Sequence, residues 1–307
     1  MMLATIHSLF SILIVFIISV VGTTVAAQDR NAVPKRTFED VSYGSHVNQI
    51  IDFWQADVDG PAPLVVFIHG GGFKGGSHKK TSGAKVREYL DAGIHHASVE
   101  YRFMKHARLP AAHEDAVRAL QFLRSKAKEW GIDKTRIAAY GGSAGAQLVA
   151  YLAWNDDFAD SENEDPIARE SSRLTAVAPT GGQSSMNLDW WVKNIPGYKR
   201  SFHRSSESQA YNDLSSIEKR ALIKELSIVT HISPDDPPTF MSYGMGPDAA
   251  IPSDPERARG WSIHHVKFGM VMEEKLRENG VEAYLKYPGV SLPFDSDVSF
   301  LIHQLKK

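Results

Sequence analysis

A serine flanked by glycines is the residue of this sequence with the clearest chemical potential. The segment Gly141-Gly142-Ser143-Ala144-Gly145 follows a short apolar run and precedes a run of helix-forming residues. A Gly-x-Ser-x-Gly sequence between a strand and a helix is typical of a sharp turn that presents a serine hydroxyl above a sheet. Glycines on either side allow the neighbouring backbone to pack closely against that turn. We therefore predict that Ser143 is a nucleophile for acyl transfer.

A second glycine-rich segment is suited to the electrostatic part of the same reaction. The sequence His-Gly-Gly-Gly-Phe at 69–73 ends another apolar run, upstream of the serine. Residues without side chains can turn backbone N–H groups toward the oxyanion of a tetrahedral intermediate, and the residue after the nucleophile supplies a complementary donor. The predicted oxyanion donors are therefore Gly71, Gly72 and Ala144.

The two segments together resemble α/β-hydrolases of the hormone-sensitive-lipase type and of the feruloyl or acetyl-xylan esterase type. The resemblance is also carried by Val99-Glu100-Tyr101-Arg102 and by Asp133-Lys134-Thr135-Arg136-Ile137. It is close over about 38–150 and looser over 238–289. It implies an α/β-hydrolase fold, with a mostly parallel sheet flanked by helices on both faces and the active site at the carboxyl ends of the strands.

The order of apolar runs and helical stretches independently predicts an α/β domain. The segment 37–57 alternates loosely and is predicted as two antiparallel strands that open the sheet, whereas 155–169 is acidic and is predicted as a loop. The segment from about 184 to 232 lacks strand alternation, so we expect a lid-like insertion over the strand ends. Trp190 and Trp191 lie in this insertion and are candidates for lining a substrate pocket, with ordinary packing as the alternative.

A serine nucleophile needs a base, and in the resembled family a carboxylate that orients the base follows the next-to-last strand. Relatives carry His-Gly-x-x-Asp there, and this chain reads Tyr-Gly-Met-Gly-Pro-Asp at 243–248. Asp248 is therefore the predicted acid, and Asp254 and Asp235 are the alternatives. Each of these three carboxylates also has the simpler interpretation of a solvated loop residue.

The histidine base is not where the resemblance implies. Relatives carry approximately Pro-Gly-x-x-His after the last strand, but Leu292 occupies the position of the base in this chain. His303 falls inside the predicted final helix, too far along the chain to reach Ser143. Two other histidines, His264 and His265, follow the segment that is predicted as a long loop at 248–261.

Helical periodicity separates these two candidates. A predicted helix presents Phe268, Met272 and Leu276 on one face, and His265 falls on that face while His264 is rotated by about 100°. We therefore predict His265 as the base and keep His264 as the alternative. The competing interpretation is a hydrogen-bonded core histidine with no catalytic role.

Composition sets the remaining bounds. The chain has 307 residues, 43% of them apolar and 23% charged, with a formal net charge of -2. This length suits one catalytic domain, predicted over 28–307, and the absence of a basic excess disfavours nucleic acid or an anionic membrane as a partner.

The first 27 residues are predicted to be a signal peptide. An apolar run at 9–21 is followed by Val25-Ala26-Ala27, with small residues where a signal peptidase cuts. The run is shorter than the 20 or so residues that a membrane span needs, so no stable span is expected after cleavage. We expect a secreted or periplasmic protein. Because the first seven residues carry no Lys or Arg, an uncleaved anchor is the alternative.

Two functions from different classes follow from these residues. The first is a secreted serine carboxylesterase or lipase-like enzyme that hydrolyses acyl or acetyl esters, either polysaccharide-linked or small lipid esters. The second is a noncatalytic binding or scaffold protein of the same fold that has lost its histidine. Neither needs a cofactor, and a chain with no Cys and no His pair at i, i+4 in a predicted helix gives no support for a metal site. The oligomeric state is left open.

Overall fold

The computed structural model describes residues 32–211 and 213–307. The predicted signal peptide at 1–27 therefore lies outside the described residues, and its cleavage stays a prediction. Within the described part of the chain, no helix is both long and apolar enough to cross a membrane.

The central element of the fold is an eight-stranded sheet in the order β1-β2-β4-β3-β5-β6-β7-β8. The first two strands pair antiparallel to each other, and β2 pairs antiparallel to β4, whereas the other neighbours are parallel. This confirms the predicted antiparallel opening and the mostly parallel sheet. The strands are β1 (Phe38–Ser42), β2 (Ile50–Trp54), β3 (Ala62–Ile68), β4 (His95–Val99), β5 (Ile132–Gly142), β6 (Ala176–Thr180), β7 (Thr239–Ser242) and β8 (Ala283–Lys286).

Helices cover both faces of the sheet. Because an inner strand such as β3 is buried on both sides, it is a continuous apolar run instead of an alternating one. The helices are α1 (Gly83–Asp91), α2 (Ala111–Ser125), α3 (Ala127–Trp130), α4 (Ala144–Trp154), α5 (Leu188–Asn194), α6 (Arg204–Tyr211), α7 (Ser216–Glu225), α8 (Pro255–Ile263), α9 (Lys267–Glu278) and α10 (Asp297–Leu305).

Two separate apolar cores result, one on each face. Val65 of β3 packs with residues of α1 and α10, such as Tyr89 and Leu301, while the adjacent Val66 packs with residues of α2 and α4. Successive side chains of a strand point to opposite faces, so the single run of β3 contributes to both cores. The central strands are thereby fixed from both sides, and their carboxyl ends form a rigid edge.

The segment between β6 and β7 contains the region that was predicted as an insertion. It contains α5, α6, α7 and short 3-10 turns, and no strand among its described residues. Its helices begin at recognisable caps: the Ser215 hydroxyl accepts the N–H of Glu218, whose carboxylate accepts the N–H of Ser215. This reciprocal arrangement is a capping box, which satisfies donors at a helix start.

The segment after β7 differs from the prediction. A loop was expected over 248–261, but α8 begins at Pro255 within it. The Asp254 carboxylate accepts the N–H of Arg257, and Pro255 occupies the first helical position, where its missing N–H costs nothing. This short helix ends beside the carboxyl edge of the sheet and positions the residues described next.

Candidate active site

Ser143 lies on the turn between β5 and α4, in a backbone conformation that L-residues rarely adopt. Its φ is 55° and its ψ is -119°. The N–H of Ser143 donates to the carbonyl oxygen of Thr180 at the end of β6, at 2.9 Å. A strained residue persists only when its surroundings fix it, and at a strand-to-helix turn this conformation lifts the hydroxyl above the sheet. The structure therefore presents Ser143 as the sequence predicts.

His264 is the histidine that contacts this serine. Its Nε2 lies 2.9 Å from the Ser143 Oγ, and its Nδ1 lies 3.0 Å from the carbonyl oxygen of Gly260. A carbonyl oxygen can only accept, so Nδ1 carries the proton and Nε2 keeps the lone pair that can accept the hydroxyl proton. This is the geometry of a nucleophile with its general base.

The prediction of His265 as the base is wrong. Its side chain is buried, and its ring lies 4.5 Å from that of Trp261, measured between centroids. Its Nδ1 accepts the N–H of Lys267 at 3.1 Å. The His265 side chain does point inward, as the helical face predicted. It is buried in the core and does not contact Ser143 at the strand ends.

The physical reason is a break between two helices. His264 is the residue that ends α8, with φ -121° and ψ 26°, and α9 begins only at Lys267. The helical periodicity that places Phe268 on the inner face of α9 therefore does not continue back through His265 and His264. The signal that the sequence analysis missed is Asp254-Pro255, a helix start whose 9-residue helix ends at His264.

The predicted acid does not reach the histidine. Asp248 is exposed in the loop after β7, and it forms no hydrogen bond or ion pair with residues of the described ranges. The two alternative acids also interact with other groups, since Asp254 caps α8 and Asp235 pairs with Arg173. No carboxylate among residues 32–211 and 213–307 hydrogen-bonds to His264, so the Gly260 carbonyl takes the place of the acid.

The loop after β3 brings the predicted oxyanion donors to the same place. Gly71 and Gly72 line one cavity together with Ser143 and Ala144. Gly71 has φ +127° and Gly72 has φ +61°, conformations that favour glycine. In the described backbone, the N–H groups of Gly71, Gly72 and Ala144 donate to no other backbone acceptor. These donors are therefore available to a ligand at Ser143.

A buried network of hydrogen-bonded charged and polar side chains holds the start of this loop in place. Glu100 accepts hydrogen bonds from His69 at 2.8 Å and from the ring of His78 at 3.0 Å. Burial alone would raise the pKa of Glu100, but the bonds from the two histidines outweigh it and lower the pKa to about 2. Glu100 is thus ionised, and it anchors His69 at the start of the glycine-rich loop.

His78 also belongs to a cluster of three side chains of the types that bind metal ions. Donor atoms of Asp40, Asp52 and His78 lie within 4.8 Å of one another. Asp40 also pairs with Lys79, and Asp52 with Arg36. The carboxylate charges are therefore already compensated by cationic side chains.

The cavity beside Ser143 has a volume of about 350 Å³. Trp191 lines it, as predicted, and the Trp191 indole N–H donates to the Ser185 carbonyl. Trp190 does not line it and packs on Phe268 at 5.7 Å between ring centroids. The prediction of a pocket role is therefore wrong for Trp190. The other lining residues are Phe73, Lys74, Met104, Leu109, Gln183, Met186, Leu188, His203, Ser205, Ser206, Glu207, Ala210, Tyr211, Arg259 and Ile263.

The mostly parallel sheet and the strained serine with its adjacent histidine define an α/β-hydrolase. The chain belongs to the BD-FAE family, whose model matches residues 51–256. The resemblance that the motifs indicated is thereby confirmed at the level of family and fold.

Solved structures share this fold. One is a truncated form of a carbohydrate esterase from gut microbiota, with a TM-score of 0.66 and 18% identity over 92% of this chain and 99% of that one. Another is an acetyl ester-xyloside bifunctional hydrolase from Caldicellulosiruptor lactoaceticus, with a TM-score of 0.60 and 22% identity over 84% of this chain and 85% of that one.

Curated relatives are named as ester hydrolases. Probable carboxylic ester hydrolase LipM of Mycobacterium tuberculosis is 27% identical over 72% of this chain and 50% of its own length. Esterase LipC of the same organism is 24% identical over 83% of this chain and 59% of its own length. The chain therefore spans little more than half the length of these relatives.

The first prediction compares the two neighbouring histidines. We expect His264→Ala to lower kcat by about 10⁴-fold, because a missing base disables the nucleophile. His265→Ala should leave kcat nearly unchanged and instead lower the free energy of unfolding, because it empties a buried site. Hydrolysis kinetics and denaturant titrations of both variants measure these effects. A larger loss of kcat in His265→Ala would contradict the geometry.

The second prediction concerns pH. Burial lowers the pKa of His264 below its ordinary value and the positive charge of Arg259 lowers it further, while the bond to Gly260 opposes both. The base must be neutral, so kcat/KM should rise through a pKa below about 6.5 and stay constant above it.

Replacing Arg259 tests the cause. Arg259→Gln removes a positive charge, so the acidic limb of the kcat/KM profile should move to higher pH. Lys128→Gln, at the opposite end of β5, is the control and should not move the limb. A limb that moves to lower pH in Arg259→Gln would refute this account.

The third prediction separates the two glycines of the oxyanion loop. A Cβ on Gly71 would lie 1.9 Å from the carbonyl oxygen of Gly75, whereas a Cβ on Gly72 has no atom within 4 Å. Gly71→Ala should displace the donor and lower kcat by about 10²-fold or more, and Gly72→Ala should have a much smaller effect. Circular dichroism checks that both variants are folded. Equal kcat values would remove the loop geometry from the mechanism.

Proposed function

We propose that this protein is a serine carboxylesterase in which Ser143 and His264 form the catalytic pair. The observation that carries the proposal is the 2.9 Å contact between His264 Nε2 and Ser143 Oγ, beside three backbone donors with no other backbone acceptor among the described residues. The ester-hydrolase names of its relatives support the same reaction class.

The mechanism follows from these atoms. His264 Nε2 accepts the hydroxyl proton as Ser143 Oγ attacks the ester carbonyl carbon, and the N–H groups of Ala144 and the glycine loop stabilise the oxyanion. Collapse of the intermediate expels the alcohol, which takes the proton from His264, and leaves an acyl group on Ser143. Water then attacks the acyl-enzyme as His264 Nε2 accepts one of its protons, and collapse of the second intermediate releases the acid while Ser143 Oγ takes that proton back from His264.

Among the described residues His264 has no carboxylate partner, and the helix that carries the histidine partly offsets this. In a triad, the acid fixes the tautomer and stabilises the imidazolium that forms in the transition state. Here the Gly260 carbonyl fixes the tautomer, with its oxygen 3.0 Å from His264 Nδ1. His264 also caps the carboxyl end of α8, where the helix dipole is negative and stabilises a cation by about 0.3–2 kcal/mol.

The cavity supports esters of small to medium size. Its volume of about 350 Å³ and its apolar wall, which includes Trp191, Met186 and Leu188, suit an acyl group or one sugar unit. The carbohydrate esterase and the acetyl ester-xyloside hydrolase that share this fold support carbohydrate-linked acyl or acetyl esters as the substrate class.

The fourth prediction tests the reaction class. Wild-type protein should hydrolyse short p-nitrophenyl esters and react with a fluorophosphonate probe at Ser143, because the neighbouring base activates the hydroxyl. Ser143→Ala should lose both properties while it stays folded. If the wild type shows neither turnover nor labelling, the alternative of a noncatalytic binding protein replaces the proposal.

We also propose export of the protein, supported by the apolar run at 9–21 and the small residues before Gln28. The fifth prediction is cleavage after Ala27, since this site has the form that signal peptidase recognises. N-terminal sequencing of protein from the extracellular or periplasmic fraction measures it. A mature protein that still begins at Met1 would support the uncleaved anchor instead.

A further inference from the structure

Two cationic side chains line the cavity beside Ser143. Lys74 follows the glycine-rich loop directly, and Arg259 lies on α8, one residue before the Gly260 carbonyl that orients His264. Both side chains are exposed at the cavity. The active site is therefore flanked by positive charge from two separate elements.

Neither cation is neutralised by the part of the protein that the structure describes. Lys74 Nζ donates to the Ser205 hydroxyl at 3.1 Å, and an Arg259 Nη2 lies 3.5 Å from the carbonyl oxygen of Phe202. No described carboxylate lies within ion-pair distance of either residue, whereas Arg200 and Lys219 of the same insertion are paired with acids.

Glu207 also lines the cavity, but its carboxylate does not neutralise the charges of Lys74 and Arg259. Glu207 Oε1 accepts hydrogen bonds from Arg200 and from Lys219, each at 2.8 Å, and neither of these cations lines the cavity. The charge of Glu207 is thus already balanced from outside the cavity.

His203 gives independent evidence that the two cations share one region. It lines the cavity, and burial together with the charges of Arg259 and Lys74 lowers the pKa of His203 to about 4. The imidazole is therefore neutral near pH 7. It lies within the field of both cations and adds no charge of its own.

We propose that Lys74 and Arg259 bind an anionic group, such as a carboxylate, that the ester substrate carries in its acyl or its alcohol part. This inference rests on the proposed function and narrows its substrate class to acidic esters, for example acylated acidic sugars or half-esters of dicarboxylic acids. A guanidinium matches a carboxylate with two parallel hydrogen bonds, and a lysine adds a mobile point charge. The overall net charge of -2 makes this local excess of positive charge a feature of the site and not of the whole surface.

The test compares matched anionic and neutral esters in two arms. For the acyl arm, the p-nitrophenyl half-ester of adipic acid is compared with p-nitrophenyl hexanoate. For the alcohol arm, an acetylated methyl galacturonoside is compared with the acetylated methyl galactoside. The measured quantity is the ratio of kcat/KM for the anionic ester to that for the neutral ester, which cancels general effects on catalysis.

The expected ratio exceeds one in at least one arm, which identifies the part of the substrate that carries the anion. Lys74→Gln and Arg259→Gln should each lower this ratio by about 10-fold, the scale of one charge pair at a partly exposed site. Added salt should lower the wild-type ratio as well, because it screens such pairs. Lys128→Gln, an exposed cation of α3 without an ion pair among the described residues, is the control and should leave the ratio unchanged.

A ratio at or below one in both arms at low salt, or a ratio that neither cavity variant changes, would overturn the inference and leave the esterase proposal intact. Calorimetric titration of Ser143→Ala with the same esters separates binding from turnover. One outcome would separate the two proposals. The wild type would hydrolyse none of the esters, while Ser143→Ala would bind the anionic ester more tightly than the neutral ester and Lys74→Gln would remove that preference. In that case the proposed function fails and the anion site stands. Equal binding of anionic and neutral esters would overturn the anion site.

Discussion

The backbone conformation of Ser143 is the constraint on which the active site depends. A residue with φ 55° and ψ -119° is strained by about 1–3 kcal/mol and persists only when its neighbours fix it. Here the close approach of β3 and β5 fixes it: a Cβ added to Gly141 or Gly145 would lie 2.6 or 2.1 Å from the carbonyl oxygen of Ile68. The same approach places the loop after β3 beside the serine, so Ser143 and the glycines proposed as oxyanion donors are positioned by one packing contact.

His264, the proposed base, contacts this serine without use of the last strand. After β8, Leu292 occupies the place where the resembled enzymes carry histidine, and it packs against the apolar core that contains Phe300. His264 arrives instead from the end of α8, between β7 and β8. In the proposed mechanism a single short helix therefore supplies both the base and, through Gly260, the acceptor that orients it.

The features of the site whose placement follows from the sequence are those encoded locally. A buried run that ends in glycines specifies both the strand and the turn that follows it, which is why the positions of Ser143 and of the glycines at 71–72 could be predicted from their own neighbours. The choice between His264 and His265 depended on where α8 ends and which way its last residue faces. Extrapolating the helical face of Phe268 across a helix boundary gave the wrong histidine. Trp190 and Trp191 show the same limit, because adjacent residues of one short helix face different surroundings that only tertiary packing decides.

The position of His264 at a helix terminus links activity to local stability. Helix ends unfold more readily than the core of a sheet, and α8 is only 9 residues long, with Trp261 and Ser262 as its buried residues. Opening of its last turn would separate Gly260 from the ring and free the imidazole to rotate, while the two cores on the faces of the sheet stayed packed. Separation of Gly260 from His264 would therefore be enough to dissolve the proposed catalytic pair without unfolding of the sheet.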